Sequence, residues 1–165
     1  MGMLATVINS LAVQSVLEQN GVDARTMTAL QMNQIAEPYI RNKAVHHMEK
    51  GRVVIIACGS GNPYFSTDTA AVLRAAEIGA EIVLFAKNID GVYSADPKKD
   101  PDAVRYSKLT YREALDKNLK ATDITAMALA MDNNMTMVCF GLDEENSIVR
   151  VVRGEEIGTT VKNEF

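Results

Sequence analysis

Short apolar runs alternate along this chain with longer stretches whose apolar residues recur every three or four positions. The longer pattern is typical of amphipathic helices and predicts helices over 2–20, 37–51, 66–79, 110–119, 122–134 and 145–155. The continuous apolar runs are typical of buried strands and predict strands over 52–58, 81–86 and 135–140, with further short strands over 23–30 and 158–161. Alternation of the two elements predicts an α/β fold with a parallel sheet covered on both faces.

Several helix boundaries are predicted by residue type. Pro38 falls in the first turn of the helix over 37–51, and Gly51 ends it. Thr110 with Glu113 three positions later is a capping-box pattern, and it places the start of the fourth helix at Thr110. Residues 87–108 follow neither pattern and are predicted as a loop of about 20 residues, a length that is often functional in compact domains.

Composition narrows the class of protein. The chain has 165 residues, of which 47% are apolar and 23% charged, as expected for a single globular domain. The net charge of −4 argues against generic binding to a nucleic-acid backbone. There is no signal peptide and no long apolar span, so we expect no membrane partner and a cytoplasmic location.

A few residue types carry structural expectations of their own. Cys58 and Cys139 each end an apolar run, and we interpret both as reduced core residues. The neighbouring His46 and His47 point in different directions from one helix, so no metal site is expected. Four methionines are predicted to fill the core: Met1, Met3, Met127 and Met131.

The sequence GSGNPYFSTD, residues 59–68, joins the strand over 52–58 to an alanine-rich helix. Ligands of parallel sheets bind beyond the carboxyl ends of the strands, and this segment lies there. Its two glycines allow close approach of the backbone to a ligand, and the following helix presents free N–H groups and a positive dipole end. These features suit a phosphate. A tight turn followed by an ordinary helix cap is equally consistent with them.

Asp68 is the acid of this segment, and it has two interpretations. In the first helical turn a carboxylate is favoured by the helix dipole, so Asp68 could be a surface residue. Beside a bound phosphate it would instead serve to hold lysines or a metal-bound water in place.

The loop AKNIDGVYSADPKKDP, residues 86–101, offers a second candidate site. Asp90-Gly91 predicts a turn that projects Tyr93, and Asp96-Pro97 predicts a second turn. An aromatic ring and a nearby acid could bracket an adenine. A solvated loop with a packed Tyr93 is the alternative.

These segments resemble a known family. GSGNPYFSTDTAA is similar to the GTGNPFFTTD signature of bacterial UMP kinases (uridylate kinases), members of the amino-acid kinase superfamily, and AKNIDGVYSADPKKDP resembles their adenine-side loop. MGMLATVINSLA resembles the long helix that follows their substrate loop. The resemblance is end to end. It implies a three-layer α-β-α sandwich with a mainly parallel sheet, in which residues 1–165 are one domain corresponding to the central and C-terminal part of an amino-acid kinase domain.

The resemblance implies phosphoryl transfer from ATP, carried with Mg²⁺, to UMP, giving UDP for pyrimidine nucleotide biosynthesis. The UMP phosphate is already nucleophilic, so no general base is needed, and Asp68 would organise catalytic lysines. Asp123 matches a second acidic position of the family. The implied UMP-site residues are Ser60, Gly61, Asn62, Pro63, Tyr64, Phe65, Ser66 and Thr67. The implied ATP-site residues are Lys87, Asn88, Tyr93 and Asp96.

The family also sets expectations beyond the two sites. Its members are typically hexamers that GTP activates and UTP inhibits, so we expect a homo-oligomer and these two effectors. Members begin with roughly 75 further residues, an ordinary addition to an α/β domain, which include a phosphate-binding lysine. We therefore expect little kinase activity from these 165 residues alone. The alternatives are a non-catalytic nucleotide-binding or regulatory module, and another small-molecule kinase of the same fold.

Overall fold

The computed structural model describes residues 1–120 and 122–165, and it divides into two compact units, Met1–Ile78 and Gly79–Phe165. Each unit is described by itself. That residues 1–165 form a single domain stays a prediction. The first unit contains α1 (Gly2–Gln19), β1 (Ala24–Thr28), β2 (Glu37–Pro38), α2 (Arg41–Glu49), β3 (Val53–Ala57) and α3 (Thr67–Ile78).

The sheet of the first unit has the strand order β2-β1-β3, and both pairings are parallel. The register of β1 and β3 joins Ala24 to Val53 at one end and Thr28 to Ala57 at the other. β1 is the central strand of this sheet, and each of its residues except the half-buried Arg25 is buried. α1 packs against β1 and β3 through Val7, which places one helix under the carboxyl end of both strands.

Three predictions for this unit were wrong in part. The second helix begins at Arg41 rather than at residue 37, because Glu37-Pro38 pairs with β1 as an edge strand, where a proline is tolerated. The sequence predicts β3 to be a buried strand, yet Val53 is 41% exposed, since β3 lies at the edge of this sheet. Met1, predicted to be in the core, is fully exposed at the start of α1.

The second unit contains a mixed sheet with the strand order β4-β8-β9-β7. β4 pairs with β8 and β7 with β9 in parallel, whereas β8 and β9 are antiparallel. β8 is buried over nearly its whole length, as its apolar sequence predicts. The elements are β4 (Ile82–Lys87), β5 (Val92–Tyr93), β6 (Arg105–Tyr106), β7 (Lys108–Thr110), α4 (Tyr111–Asp116), α5 (Ile124–Asp132), β8 (Thr136–Gly141), α6 (Ser147–Val152) and β9 (Thr159–Lys162).

The stretch over 87–108, predicted as a loop, contains the antiparallel pair β5 and β6. Strands of two residues are too short to show a hydrophobic alternation, so sequence patterns do not reveal them. The short β7 was missed for the same reason. The capping box is confirmed, because the Thr110 hydroxyl accepts from the N–H of Glu113 while the Glu113 carboxylate accepts from the N–H of Thr110.

The remaining expectations about the core have mixed outcomes. Cys58 and Cys139 are buried free thiols, as predicted. Met127 is buried as predicted, and Met3 packs at the edge of a core cluster. Throughout the part of the chain that the structure describes, none of the helices is both long enough and apolar enough to cross a membrane.

Candidate functional site

The candidate substrate site is the segment 59–68, which we call the glycine loop. It begins directly after Cys58, the residue that follows β3, and ends in the first turn of α3. Around it the backbone enters the left-handed region at Cys58, Gly59, Gly61 and Tyr64, with φ of +70°, +58°, +78° and +68°. The chain therefore turns sharply after the strand, and the N–H of Gly61 donates to the carbonyl of Cys58 at 3.0 Å.

The entrance of the glycine loop is held by α1. The backbone N–H of Cys58 donates to the Thr6 hydroxyl at 2.9 Å, and that hydroxyl donates to the carbonyl of Met3 at 2.6 Å. Cys58 packs with Val7 and Ala57 in a small core cluster. Because Cys58 is not a glycine, its left-handed conformation costs energy, and these contacts are what stabilise it.

Gly61 lies against the residue that follows β1. A Cβ atom built on Gly61 would be 3.1 Å from the Cβ of Ala29 and 3.4 Å from its carbonyl oxygen. The close approach and the positive φ both require glycine here. The sheet thus determines how near the glycine loop lies to the carboxyl end of β1.

Two predicted UMP-site residues hold each other in a local turn. The N–H of Asn62 donates to the Ser60 hydroxyl at 3.2 Å, and the Asn62 side-chain amide donates to the Ser60 carbonyl at 3.3 Å. The Ser60 hydroxyl in turn lies 3.3 Å from the Asn62 carbonyl oxygen. Asn62 itself is exposed, so its amide oxygen is accessible while its nitrogen supports the turn.

The end of the glycine loop is a helix cap. The Ser66 hydroxyl accepts from the N–H of Thr69 at 3.0 Å, which confirms Ser66 as one of the two predicted caps of α3. Thr67 is exposed in the first position of α3. Asp68 follows it in the first turn and is half-buried. A carboxylate is favoured there by the helix dipole.

Both aromatic side chains of the glycine loop point into solvent. Tyr64 is fully exposed and Phe65 is 57% exposed. A bulky residue in the left-handed region is uncommon, and it is tolerated where function or packing requires it. The packing of Tyr64 does not explain it, because the side chain is wholly exposed. The neighbouring Pro63 is exposed as well.

The predicted ATP-site residues divide between two cavities of the second unit. Lys87 and Asn88 line a cavity of about 320 Å³ together with Asp90, Gly141, Asp143 and Glu144. Tyr93 and Asp96 line another of about 370 Å³, whose wall also carries three lysines: Lys99, Lys117 and Lys120. Ile89 borders both cavities. The four residues therefore lie around one turn but not in one common cavity.

Tyr93 is oriented by an ionic network. Its hydroxyl donates to one carboxylate oxygen of Asp90 at 2.7 Å, and Arg105 donates to the other oxygen at 2.7 Å. The hydrogen bond to the Asp90 carboxylate, with burial, raises the pKa of Tyr93. Gly91 must be glycine because an added Cβ would be 2.7 Å from the Thr159 hydroxyl. The network presents the Tyr93 ring to the cavity in one orientation.

The two remaining acids have local partners. The Asp96 carboxylate accepts from the N–H of Lys98 at 3.0 Å, which forms the predicted turn at Asp96-Pro97. The Asp123 carboxylate accepts from the N–H of Ala126 at 2.9 Å and caps α5. Asp123 was one of the two predicted caps, and this structural role is confirmed.

Thr6, Ala29 and Arg105 were not foreseen as part of these sites. Thr6 contacts Cys58 across 52 positions of sequence, and Arg105 contacts Asp90 across 15. No local pattern signals such contacts, because they form only when the strands are assembled. Among residues 1–120 and 122–165, no group of three His, Cys, Asp or Glu side chains is arranged to hold a metal ion.

Comparison with known proteins decides the family. A model of the amino acid kinase family matches residues 1–141 of this chain. The uridylate kinase of Pediococcus pentosaceus is 57% identical over 164 residues, which are 99% of this chain and 68% of that protein. This chain belongs to the amino acid kinase family. Within that family, its resemblance to the UMP kinases is confirmed.

Solved structures of amino acid kinases agree with the fold. The UMP kinase of Bacillus anthracis superposes with a TM-score of 0.95 at 38% identity, covering 99% of this chain and 68% of its own. The UMP kinase of Ureaplasma parvum gives 0.94 at 39% identity, covering 99% and 70%. The uridylate kinase of Archaeoglobus fulgidus gives 0.73 at 27%, covering 97% and 69%. The predicted α/β amino-acid kinase fold is thereby confirmed.

Proposed function

We propose that this chain belongs to an enzyme that transfers a phosphoryl group from ATP to UMP, giving UDP, in nucleotide biosynthesis. The observation that carries the proposal is the 57% identity over 164 residues to a protein named uridylate kinase. That match spans nearly the whole chain, including the glycine loop. The position of the glycine loop beyond the carboxyl end of β3 supports it, since parallel sheets bind ligands there.

We propose that the glycine loop binds the phosphate of UMP. Gly59 and Gly61 let the backbone approach an anion, and the dipole of α3 favours negative charge at its first turn. The exposed Thr67 hydroxyl and the Asn62 side chain are the direct polar contacts. Ser60 and Ser66 act indirectly, because each holds the backbone of the loop by a hydrogen bond.

The exposed aromatics have a role in the same proposal. Tyr64 and Phe65 present apolar surface next to the phosphate cradle, and such surface suits the uracil ring. Pro63 restricts the backbone between them and Asn62. Binding a nucleotide here would cover apolar area that is otherwise in contact with water.

Asp68 is proposed as a positioning residue. A carboxylate beside bound phosphates repels them. The proposed role of Asp68 is therefore to hold cationic side chains in the positions that phosphoryl transfer requires. A general base is unnecessary, because the acceptor oxygen of the UMP phosphate is already anionic. The reaction then depends on alignment and on stabilising the charge of the transferred group.

On the ATP side, we propose that Lys87 and Asn88 contact the phosphates or ribose while Tyr93 and Asp96 bracket the adenine. Mg²⁺ would be carried with the ATP phosphates, as is usual in phosphoryl transfer. When bound, the ion neutralises phosphate charge. Asp123, which caps α5, would act only through the position of that helix.

Isothermal titration with UMP tests the proposal on the 165-residue chain. Saturable UMP binding is expected, and Asn62→Ala and Thr67→Ala should each weaken it by about 1–3 kcal/mol. Asn42→Ala, at an exposed position of α2, is the matched control and should leave the affinity unchanged. Absence of UMP binding, or equal affinities in all variants, would contradict the proposal.

The same titration separates the alternatives. Tighter binding of CMP, dUMP or an acyl amino acid than of UMP would indicate another small-molecule kinase. The 165-residue chain assayed by itself is proposed to bind UMP with little turnover. UMP binding without phosphoryl transfer in the complete enzyme would favour a non-catalytic module. Homo-oligomerisation, the GTP and UTP effects and the cytoplasmic location stay predictions.

A further inference from the structure

Glu144 lies on the wall of the cavity that Lys87 and Asn88 also line. Lys87 pairs with Gly141 at the carboxyl ends of the neighbouring parallel strands β4 and β8, and the N–H of Leu142 donates to the carbonyl of Lys87 at 2.8 Å. The loop after Gly141 therefore begins at the edge of the sheet where parallel strands bind their ligands. Glu144 is in this loop, and its side chain is 36% exposed.

The position of Glu144 is set by its neighbours in the second unit. The N–H of Ser147, a buried residue at the start of α6, donates to the carbonyl of Glu144 at 3.1 Å. A Cβ atom built on Gly141 would be only 3.3 Å from Glu144 Oε1 and 3.3 Å from the Cβ of Asp90. A side chain at position 141 would crowd both acids. Glycine there lets the two acids lie near each other.

Arg150 fixes the direction of the Glu144 carboxylate. The Arg150 guanidinium donates to Glu155 from Nε at 2.9 Å and from Nη2 at 2.6 Å, a double contact that orients the planar group. Its Nη1 donates to Glu144 Oε2 at 3.3 Å. Exposed ion pairs add little to stability, so the main effect of this one is on orientation. Among the residues that the structure describes, Glu144 Oε1 accepts no hydrogen bond.

The other two acids of this cavity differ from Glu144. Asp90 uses one carboxylate oxygen for the Tyr93 hydroxyl and the other for Arg105, each at 2.7 Å. Asp143 is exposed, and in the described part of the chain no side chain bonds its carboxylate. Of the three acids, Glu144 is therefore the one that combines a fixed direction with an oxygen available to a ligand.

The chemistry of the carboxylate limits what this oxygen can bind. An ionised carboxylate only accepts hydrogen bonds, and it repels phosphate groups. Its ligand in a nucleotide is therefore a neutral group with hydroxyl donors, which is the ribose. Carboxylates that accept from ribose hydroxyls occur in other nucleotide-binding folds.

The position of Glu144 agrees with a ribose contact. Ile89 borders both ATP-side cavities, and the ribose of ATP connects the adenine to the phosphates. Tyr93 lines the proposed adenine cavity. The hydrogen bond to Asp90 is the largest cause of the raised pKa of Tyr93, and the nearby charge of Glu144 adds to it. Glu144 therefore lies within electrostatic reach of the proposed adenine position.

We propose that Glu144 Oε1 accepts a hydrogen bond from the ribose hydroxyls of the phosphoryl donor, and that it thereby selects ribonucleotides over deoxyribonucleotides. The inference rests on the proposed ATP site and is independent of UMP binding by the glycine loop. Arg150 is a positioning residue, since it acts through Glu144.

Titration calorimetry on the 165-residue chain compares a non-hydrolysable ATP analogue with its 2′,3′-dideoxy counterpart, both with Mg²⁺. The chain should bind the ribose-containing analogue at least about tenfold more tightly, the effect of a hydrogen bond to a charged group. Equal affinities would overturn the ribose contact and leave the ATP site in place. If the chain binds neither analogue, the proposed ATP site fails and this inference fails with it.

Variants of Glu144 separate the ribose contact from a general effect on the cavity. Glu144→Ala should weaken binding of the ribose-containing analogue about tenfold and change that of the dideoxy analogue by less than about threefold. Glu144→Gln keeps an acceptor without the charge, so its affinity should be intermediate. Glu145→Ala is the matched control, because Glu145 is exposed and does not line the cavity of Lys87. Equal losses for the two analogues in Glu144→Ala would overturn the proposal.

Two further measurements test how Glu144 acts. Arg150→Ala should lower the ratio of the two affinities at least about threefold, and Arg150→Lys, which keeps the charge, should retain more of it. A purely structural effect of Arg150 would leave that ratio unchanged and would contradict its positioning role. In EDTA without Mg²⁺, the effect of Glu144→Ala should persist. Its disappearance would show that the carboxylate contacts the cation rather than the ribose, and would overturn the proposal.

Discussion

The hydroxyl of Thr6 accepts a 2.9 Å hydrogen bond from the backbone N–H of Cys58, 52 positions further along the chain. This bond connects the first helix of the chain to the residue that enters the glycine loop. Cys58 has φ of +70°, a conformation that a cysteine does not favour. The helix therefore stabilises a backbone shape on which the candidate substrate site depends.

Thr6→Val should destabilise the first unit by about 1–3 kcal/mol, because it leaves the buried N–H of Cys58 without its partner. Urea unfolding monitored by circular dichroism gives the free energy. Thr6→Ser keeps the hydroxyl and is expected to lose less than half as much. If the valine and serine variants are equally stable, the hydrogen bond does not position the loop.

Gly61→Ala should cost more stability than Gly21→Ala, although the two glycines have nearly the same φ, +78° and +77°. Each substitution pays about 1 kcal/mol for a left-handed alanine. Gly61 alone has a close neighbour, the Cβ of Ala29 at 3.1 Å, whereas Gly21 has open space. Thermal unfolding compares the variants. UMP affinity should fall only for Gly61→Ala, and equal effects would exclude the close approach as the cause.

Tyr39 should make stability depend on alkaline pH. Burial, followed by the hydrogen bond to Glu77, raises the pKa of Tyr39 from 10.0 to about 12. The folded state therefore favours the neutral phenol. Its contribution to stability is complete below pH 10.0 and is lost as the pH rises through about 12. Tyr39→Phe should flatten this part of the pH profile of the unfolding free energy, while keeping the ring under Arg74.

The exposed Tyr64 provides the control for this measurement. Tyr64→Phe should leave the alkaline profile unchanged. A profile that is the same in the Tyr39→Phe variant and the unmodified chain would show that the 2.7 Å bond between Tyr39 and Glu77 does not contribute.

Glu77 should act at the acidic end of the profile. Burial by itself would raise the pKa of Glu77, but hydrogen bonds from Arg74 and Tyr39 outweigh it and lower that pKa below 4.5. The contribution is present above pH 4.5 and is lost as the pH falls through the lowered pKa of the folded state. Glu77→Gln should reduce the loss of stability in this window. Acid titration of unfolding, followed by fluorescence of an external dye, checks this.

Tyr93→Ala should weaken the binding of a non-hydrolysable ATP analogue by about three- to tenfold, the range expected for the loss of one aromatic contact. Tyr93→Phe loses only the 2.7 Å bond to Asp90 and should bind nearly as well as the unmodified chain. The measurement is a calorimetric titration on the 165-residue chain. Similar affinity of the alanine and unmodified proteins would contradict the placement of adenine beside Tyr93.

Short-range physics explains the elements that sequence patterns predicted correctly. The apolar run of β8 predicts its burial correctly, whereas Ile82 of β4 and the predicted apolar-face residues Leu4, Ile8 and Val16 of α1 are exposed, because burial depends on what packs against each face. Caps are local. Ser66 and Asp123 each bond an N–H three positions later, so residue type and spacing are sufficient.

Contacts between residues far apart in sequence account for the elements that the sequence patterns did not predict. Pro38 is typical of the first turn of a helix. In the structure it pairs with Thr28 of β1, ten residues earlier in the sequence. β5 pairs with β6 across 14 positions of sequence (Val92 with Tyr106), and the N–H of Val92 donates to the hydroxyl of the distant Thr159. A window of a few neighbouring residues contains no signal for either pairing.

The chain by itself determined its alternation of helices and apolar strands, the capped start of α3 and the glycine loop with its family resemblance, because each follows from residues that are neighbours in sequence. Tertiary structure alone decided that Thr6 holds Cys58 and that the ATP-side residues divide between two cavities. Both outcomes depend on which strands become neighbours in the sheets. The free energy of strand pairing comes from contacts between strands, so the sequence of one strand does not reveal it.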